Sequence, residues 1–401
     1  MPYCVVTAAA VAGEEEVRIF YQRYGHGAAK VLLIIGFAGT YESWGPQVKG
    51  LTGAVEPVDE EAPAAGDDGS GAAEGVEVCC FDNRGMGRSS VPAHKSQYTT
   101  AIMAKDALAL MNHLGWRKAH VFGHSMGAMI ASKLAAMAPD RVASLALLNT
   151  TGGGYQCIPK VDWHTISLAC RFLRARTPEQ RAILDLEVHY TREYLEEAVG
   201  SCTRRQMLYQ EYVKGLSSGG MQSRHGFEGQ INACWTHKLS TKELDRIRLA
   251  GFLVLIIHGR DDVVAQLYYA RRLAEKLQPA AKLIELHGGH LVSHERPAEV
   301  NMSFMEMIKA SKSNTELEEW SNLPKPDAGC LRKRDGDTVN YLIVTHNLLA
   351  KLQLILLFFF GVFYVILEHA RRAIRVLKPV RVSASTLVIS QWTIEVEVLP
   401  S

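Results

Sequence analysis

The stretch Val121–Met129, VFGHSMGAM, places Ser125 between two glycines in a G-x-S-x-G pattern. In such a turn the serine stands in strained backbone at a strand-to-helix junction, and Gly123 and Gly127 leave room for the strand and the helix to pack closely. Glycine and serine are also common in ordinary turns, so the pattern alone does not separate a nucleophile from a structural hydroxyl. The sequence on either side must separate them.

The residues around Ser125 follow a strand-then-helix order. Ala119–Ser125 is apolar enough for a buried strand, and the periodicity of Met126–Ala138 predicts a helix that ends before Pro139. Other near-continuous apolar runs are typical of parallel strands buried on both faces: Val31–Gly36, Val76–Asp82, Val142–Asn149, Phe252–Gly259 and Ala281–Gly288. Helical patterns alternate with these runs, at Ala101–Leu114, Gln266–Leu277 and Ala298–Ala310. The sequence therefore predicts an α/β fold with a mostly parallel sheet.

A serine nucleophile needs a base to take its proton and an acid to orient that base. RDDVVA follows one predicted strand and offers Asp261 and Asp262, either of which alternatively caps the next helix. HGGHLVSHERP follows the next strand and offers three histidines: His287, expected beside its strand, His290 after two glycines, and His294 at the start of the last helix. Because these strand ends share one edge of the sheet, acid and base are expected near Ser125.

With these motifs in this order, the chain resembles the α/β-hydrolase fold superfamily over residues 17–310. GHSMG matches the nucleophile elbow of that family and implies Ser125 as the nucleophile. GRDD from Gly259 and GGH from Gly288 match its acid and base motifs, which implies Asp262 and His290. The resemblance thus implies a Ser-His-Asp triad.

Two loops extend the resemblance. DNRGMGRSS, Asp82–Ser90, matches a family turn in which Arg84 and its glycines are expected to hold the loop. The loop Ile34–Trp44 stands where the family places its oxyanion hole, which implies the backbone N–H groups of Phe37 and Met126 as donors. Ile35 departs from the pattern, because the family usually has histidine there. Strand alternation directs His124 away from Ser125, which favours a packing role for that side chain.

The resemblance implies a serine hydrolase that acts on a carboxylic ester or related acyl substrate. A serine at the elbow argues against the branches that use an aspartate nucleophile. Two other roles stay open: a ligand-binding receptor or scaffold with little turnover, and a cofactor-free C–C hydrolase or haloperoxidase-like enzyme. A helical region at 152–248 lies between the two sheet halves and is expected to be a cap. Its apolar and aromatic residues either pack the cap on the core or favour a substrate with an apolar moiety: Trp163, Phe172, Leu173, Tyr190, Tyr194, Leu195, Tyr209, Tyr212 and Trp235.

Composition limits the other classes of function. Lys+Arg is 44 against Asp+Glu 42, a balance that gives no electrostatic reason to expect a nucleic-acid partner. The 8 cysteines form no C-x-x-C pair, so we expect free thiols, and we expect no metal and no cofactor. Together with an N-terminus that lacks a basic signal-peptide region, the thiols predict a cytosolic hydrolase domain.

We expect the chain to divide into a core at 1–151 with an insertion at 53–75 that is expected to be disordered, the cap at 152–248, the rest of the core at 249–312, a linker at 313–340 and a tail at 341–401. The tail contains a fully apolar run, Leu354–Leu367, inside a 20-residue window at 348–367. A helix of that length spans about 30 Å, the thickness of a bilayer core, so this single segment predicts membrane association. Basic residues are denser after the segment than before it, and the side on which the tail ends stays open.

Overall fold

The computed structural model describes residues 2–7, 16–58, 75–218, 222–313 and 315–324. The central element is an eight-stranded sheet whose order is β1-β2-β4-β3-β5-β6-β9-β10. Its strands are β1 Tyr3–Thr7, β2 Val17–Tyr24, β3 Ala29–Ile34, β4 Val76–Phe81, β5 Ala119–His124, β6 Val142–Leu148, β9 Leu253–Gly259 and β10 Ala281–Leu286. A separate two-stranded ribbon consists of β7 Ala198–Val199 and β8 Cys202–Thr203.

The sheet is mostly parallel, as the apolar runs predicted. Strand β2 runs antiparallel to both of its neighbours, β1 on one side and β4 on the other. Every pairing from β4 to β10 is parallel. We did not predict β2 from its sequence, because Arg18, Gln22 and Arg23 interrupt its apolar residues. The α/β fold with a mostly parallel sheet is confirmed.

Helices flank the sheet on both faces. Numbered in chain order, they are α1 Gly45–Thr52, α2 Thr100–His113, α3 Met126–Met137, α4 Trp163–Arg174, α5 Pro178–His189, α6 Arg192–Glu196, α7 Arg204–Ser218, α8 Arg224–Thr236, α9 Thr241–Arg248, α10 Leu267–Lys276, α11 Val292–Glu295, α12 Pro297–Lys312 and α13 Leu317–Trp320. Six of them, α4 to α9, follow one another between β6 and β9, together with the β7–β8 ribbon. This helical segment occupies the region expected to be a cap.

Alternation along the strands creates two cores, one on each face of the sheet. Leu32, Val121 and Ile256 belong to a cluster that includes residues of α2, α3 and α10. Leu33, Phe122 and Ile257 belong to a second cluster with residues of α1 and α12. Because successive side chains of a strand point to opposite faces, neighbours in the sequence enter different cores. This two-sided burial explains why the strands read as continuous apolar runs.

Two expectations fall largely outside the described residues. Most of the insertion at 53–75 and the whole tail at 341–401, with its membrane segment at 348–367, are among the residues that the structure does not describe. Within the described ranges, no helix is long and apolar enough to cross a membrane.

Candidate active site

Ser125 stands at the turn between β5 and α3 in a conformation that an L-residue rarely adopts, with φ 54° and ψ −119°. Such backbone strain persists only where the surroundings enforce it. A Cβ added to Gly127 would lie 2.0 Å from the carbonyl oxygen of Ile34, and one added to Gly123 would lie 2.3 Å from the carbonyl oxygen of Gly127. The two glycines therefore permit the close approach that the G-x-S-x-G pattern predicted.

The structure brings Ser125, His290 and Asp262 into one line of hydrogen bonds. His290 Nδ1 lies 2.8 Å from Asp262 Oδ2, and its Nε2 lies 3.0 Å from Ser125 Oγ. Because a carboxylate only accepts, Nδ1 carries the proton and Nε2 presents a lone pair to the serine hydroxyl. The arrangement is suited to deprotonating Ser125 as it attacks a carbonyl.

Asp262 is completely enclosed, and both of its oxygens have donors. Oδ1 accepts the backbone N–H groups of Val264 and Ala265, each at 2.8 Å. Oδ2 accepts from His290 and, at 2.7 Å, from Asn149 Nδ2. Burial opposes the charged form, but electrostatic attraction to His290 and these hydrogen bonds outweigh it, so the pKa of Asp262 lies well below its usual value. Asp262 thus serves both as partner of His290 and as acceptor for its own turn.

Asn149 is a site residue that our sequence reasoning missed. It follows β6 with φ 46°, and its amide donates to Asp262 Oδ2 and, at 3.2 Å, to the carbonyl oxygen of Gly289. Asn149 therefore holds the acid and the residue before His290 at the same time. The available signal was an asparagine ending the apolar run of a strand whose neighbours carry Ser125 and Asp262.

Two neutral imidazoles flank His290. His124 Nε2–H donates to the carbonyl oxygen of His290 at 2.8 Å, and the two rings lie 4.9 Å apart. His189, at the end of α5, stacks its ring 6.2 Å from that of His290. Burial, and then electrostatic repulsion by His290, lower the pKa of both His124 and His189 to about 3. His124 is buried, but it also holds His290 in place, a contact that strand alternation did not reveal.

The expected oxyanion loop lies against Ser125. A Cβ added to Gly36 would stand 3.0 Å from Ser125 Cβ, so this loop passes directly over the nucleophile. Met126 is the first residue of α3, where N–H groups have no acceptor within the helix. Phe37 N–H meets no acceptor within the described part of the chain. These are the two donors that the resemblance implied.

Ile35 and Ala38 show how the loop holds its shape without the usual histidine. The Ile35 side chain is buried in the core, and its carbonyl oxygen accepts from Asn83 Nδ2 at 2.7 Å. Ala38 has φ 55°, and its N–H donates to Gln230 Oε1 of α8 at 2.9 Å. The cap region therefore contributes a direct contact to the expected oxyanion loop.

The turn after β4 is structural. Arg84 donates two 2.6 Å hydrogen bonds to the buried carboxylate of Asp106, so its guanidinium is engaged within the fold. Asp82 accepts the N–H of Tyr41 at 2.8 Å and that of Arg88 at 2.9 Å. A Cβ added to Gly87 would lie 2.2 Å from Asp82 Oδ2, which explains the glycine in this turn.

The alternative acid and histidines lie elsewhere. Asp261 pairs with His287 at 2.9 Å, and His287 also contacts Glu193 of α6 at 2.7 Å. His287 follows β10 directly, and its side chain is 46% exposed. His294 lies in the short helix α11, where its Nε2–H donates to the carbonyl oxygen of Ser43 and its Nδ1 accepts from Tyr190.

A cavity of about 420 Å³ is lined by Asp261 and Val263, on either side of Asp262 in the sequence, but by none of Ser125, Asp262 and His290. Its walls come mainly from α4 to α7 and from the ends of β9 and β10: His164, Glu187, Tyr190, Thr191, Arg192, Glu193, Leu195, Arg205, Asp261, Val263 and His287. Of the nine apolar cap residues, only Tyr190 and Leu195 contribute to it. Trp163 is 80% exposed instead. No group of three potential metal ligands occurs among the described residues.

Comparison with known proteins places this geometry in context. Residues 31–297 match the family described as the alpha/beta hydrolase fold. The chain is 33% identical over 285 residues to the putative carbamate hydrolase RutD of Caulobacter segnis, covering 71% of this chain and 93% of that protein. It is 28% identical over 246 residues to the putative non-heme bromoperoxidase BpoC of Mycobacterium tuberculosis, covering 60% of this chain and 86% of that protein.

Solved structures show the same likeness. The crystal structure of BpoC matches with a TM-score of 0.54 and 25% identity, covering 73% of this chain and 96% of that chain. The enol-lactonase from Burkholderia xenovorans matches with a TM-score of 0.56 and 23% identity, covering 77% of this chain and all (100%) of that one. The second likeness shows the fold alone.

Proposed function

The chain belongs to the α/β-hydrolase fold family, and from that premise we propose that it is a serine hydrolase. Its substrate is a carboxylic ester or a related acyl compound with an apolar moiety. The observation that carries the proposal is the unbroken line from Ser125 Oγ through His290 to Asp262, with hydrogen bonds of 3.0 and 2.8 Å. A strained serine, an imidazole with a free Nε2 lone pair and a buried carboxylate are the three parts that acyl transfer requires.

The reaction has two halves. Ser125 Oγ forms a bond to the acyl carbon while its proton passes to His290 Nε2. The same proton then leaves with the alcohol as the carbon–oxygen bond of the ester breaks. Water attacks the acyl-enzyme with His290 again as base, and the carboxylic acid departs. Asp262 stabilises the imidazolium in both halves, and the backbone N–H groups of Phe37 and Met126 stabilise the oxyanion.

Two observations bear on the class of acyl substrate. The similarity to a protein named as a putative carbamate hydrolase extends the substrate panel from esters to carbamates. The charged lining of the neighbouring cavity favours substrates with a polar group as well as an apolar one. We propose an ester or carbamate that carries a polar group as well as an apolar moiety.

The test combines a suicide probe with turnover. Purified protein is treated with a fluorophosphonate, the labelled peptide is identified by mass spectrometry, and p-nitrophenyl esters of increasing chain length and an aryl carbamate are assayed. Ser125→Ala should abolish labelling and turnover. Ser132→Ala is the matched control, because Ser132 lies about two helix turns further along α3 and its hydroxyl donates to the carbonyl oxygen of Ala128 at 2.8 Å. Labelling of Ser125 without turnover of any substrate would contradict the hydrolase proposal and indicate a ligand-binding role.

A second candidate activity is perhydrolysis, which the similarity to a protein named as a putative bromoperoxidase favours. Hydrogen peroxide in place of water attacks the acyl-enzyme, so a carboxylic acid and hydrogen peroxide give a peracid and water. The triad plays the same part in both reactions. Formation of peracetic acid from acetate and hydrogen peroxide, lost in Ser125→Ala, would support it. A rate equal to that without protein would exclude it.

Membrane association through residues 348–367 is a further proposal, as is a cytosolic hydrolase domain. The proposal of membrane association is supported by the uninterrupted apolar run Leu354–Leu367, which lies outside the described residues.

A further inference from the structure

Glu295, at the end of α11, places its carboxylate between the helical cap region and the loop that carries His290. Oε1 accepts the N–H of Gly289 at 2.8 Å and the N–H of Thr191 at 3.0 Å. Oε2 accepts the hydroxyl of Thr191 at 2.7 Å. The residue is 5% exposed, so these contacts are shielded from water.

The partners of this carboxylate are all uncharged. Within the described residues, no lysine, arginine or histidine forms an ion pair with Glu295. A buried carboxylate that accepts only neutral N–H and O–H groups needs each of those bonds, because every lost donor leaves charge without compensation. Glu295 therefore couples the positions of Gly289 and Thr191, because both residues donate to the same carboxylate.

Two more bonds join the same two segments. The carbonyl oxygen of His189 accepts the N–H of Leu291 at 2.9 Å, and the Tyr190 hydroxyl donates to His294 Nδ1 at 3.0 Å. Three consecutive residues, His189 to Thr191, thus bond in order to positions 291, 294 and 295. The region between α5 and α6 is tied to the segment that begins immediately after His290.

Gly289 is the residue through which this tie reaches the triad. Its N–H is held by Glu295, and its carbonyl oxygen accepts from Asn149, which also donates to Asp262. A Cβ on Gly289 would lie 2.8 Å from the carbonyl oxygen of His189, so the backbone has little room to shift toward the cap. Gly289, the residue that precedes His290, is therefore restrained at both its N–H and its carbonyl oxygen.

We propose that Glu295 is a positioning residue. Through its carboxylate, the position of residues 189–191 determines where His290 lies relative to Ser125 and Asp262. The proposal rests on the hydrolase function proposed above. When Thr191 is in place, Glu295 is fully bonded and holds Gly289. When Thr191 moves away, the carboxylate loses two of its three donors and the His290 loop loses its restraint.

The experiment compares four variants of the full chain. Glu295→Ala removes every bond, and Glu295→Gln keeps an amide oxygen for the Gly289 N–H. Thr191→Val keeps the backbone N–H but removes the hydroxyl, which donates to Glu295 Oε2 and also accepts the N–H of Tyr194 at the start of α6. Thr177→Val is the matched control: both threonines accept an N–H of their following helix at 3.3 Å, but the Thr177 side chain makes no described hydrogen bond to the core.

Two measurements are made on each variant well below its melting temperature. The first is the rate of fluorophosphonate labelling of Ser125, together with kcat and KM on a p-nitrophenyl ester. Since misplacing a catalytic group by about 1 Å costs about 100-fold, we expect Glu295→Ala to lower kcat and labelling about 30- to 100-fold with little change in KM. Glu295→Gln should recover to within about tenfold of wild type, Thr191→Val should lose about three- to tenfold, and Thr177→Val should match wild type.

The second measurement is hydrogen–deuterium exchange of the peptide that contains Gly288–Leu291, which needs no catalysis. Faster exchange in Glu295→Ala and Thr191→Val, but not in Thr177→Val, supports the proposal. Unchanged exchange in Glu295→Ala overturns it, and so does faster exchange with wild-type labelling. If the wild-type protein itself is not labelled, the hydrolase function fails, and the exchange result still decides whether Glu295 restrains the loop.

Discussion

Replacement of Asp262 by asparagine exchanges one carboxylate oxygen for an NH₂ group without changing the shape of the side chain. The structure determines which oxygen is lost. Oδ1 accepts two backbone N–H groups at 2.8 Å, so the amide oxygen of Asp262→Asn is expected there. The NH₂ group then replaces Oδ2 and faces His290 Nδ1.

The consequence is a change of tautomer in His290. An NH₂ group cannot accept the proton of Nδ1, so the imidazole is stable only with its proton on Nε2. Nε2, which lies 3.0 Å from Ser125 Oγ, then carries a proton where a lone pair is needed. The same substitution in a well-studied Ser-His-Asp protease lowers kcat about 10⁴-fold, or about 5.5 kcal/mol in activation free energy, and we expect a loss of that order here.

The control is Asp261→Asn, one residue away. Asp261 is 48% exposed, and its described ion pair is with His287 on the surface rather than with His290. We expect kcat within about threefold of wild type, because a surface ion pair contributes little. The assay is ester turnover and fluorophosphonate labelling, with circular dichroism to establish that both variants are folded. Activity of Asp262→Asn within a factor of ten of wild type, or a greater loss in Asp261→Asn, would refute the assignment of the acid.

Three other results are expected. Gly127→Ala should destabilise the fold by about 3 kcal/mol or more in urea unfolding, since its Cβ would lie 2.0 Å from the carbonyl oxygen of Ile34; an unchanged midpoint would contradict the elbow packing. Burial raises the pKa of Glu243, but hydrogen bonds from Lys133 and Ser240 outweigh it and lower this pKa to about 2. The contribution of Glu243 to the free energy of unfolding is therefore complete above the ordinary pKa of a glutamate and is lost as the pH falls toward about 2. Glu243→Gln should therefore cost about 1 to 2 kcal/mol at pH 7 and clearly less at pH 3.5, and an equal cost at both pH values would contradict the shift. Finally, carbonate extraction should leave the full chain with membranes and release a version that ends at Asp337, whereas equal release of both would show that residues 348–367 do not anchor it.

Local sequence was sufficient for most of the sheet. Strands buried on both faces need apolar residues at every position, so runs such as the one at β9 are visible without any tertiary information. Strand β2 was missed because it is antiparallel to its neighbours and carries Arg18, Gln22 and Arg23 among its apolar residues. A strand of that kind resembles an ordinary polar segment until its partners are known.

Only part of the candidate site could be predicted from local sequence. Ser125 is marked by residues next to it, because the strain of its turn demands nearby glycines. The sequence narrowed the acid and the base to two aspartates and three histidines, and the motifs of the family then singled out Asp262 and His290. Their hydrogen bonds to one another and to Ser125 became visible only in the folded chain.

What the sequence determined by itself is the α/β architecture, the nucleophile turn and the short segments that supply acid and base. The tertiary structure alone decided the residues that hold these groups in register: Asn149, His124, His189 and Glu295. Their bonds join positions far apart in the chain, with separations of 113 residues from Asn149 to Asp262, 166 from His124 to His290 and 104 from Thr191 to Glu295. Turn strain and strand burial are local requirements, so they leave a local pattern in the sequence. A hydrogen bond between distant segments depends instead on where folding brings the two segments together.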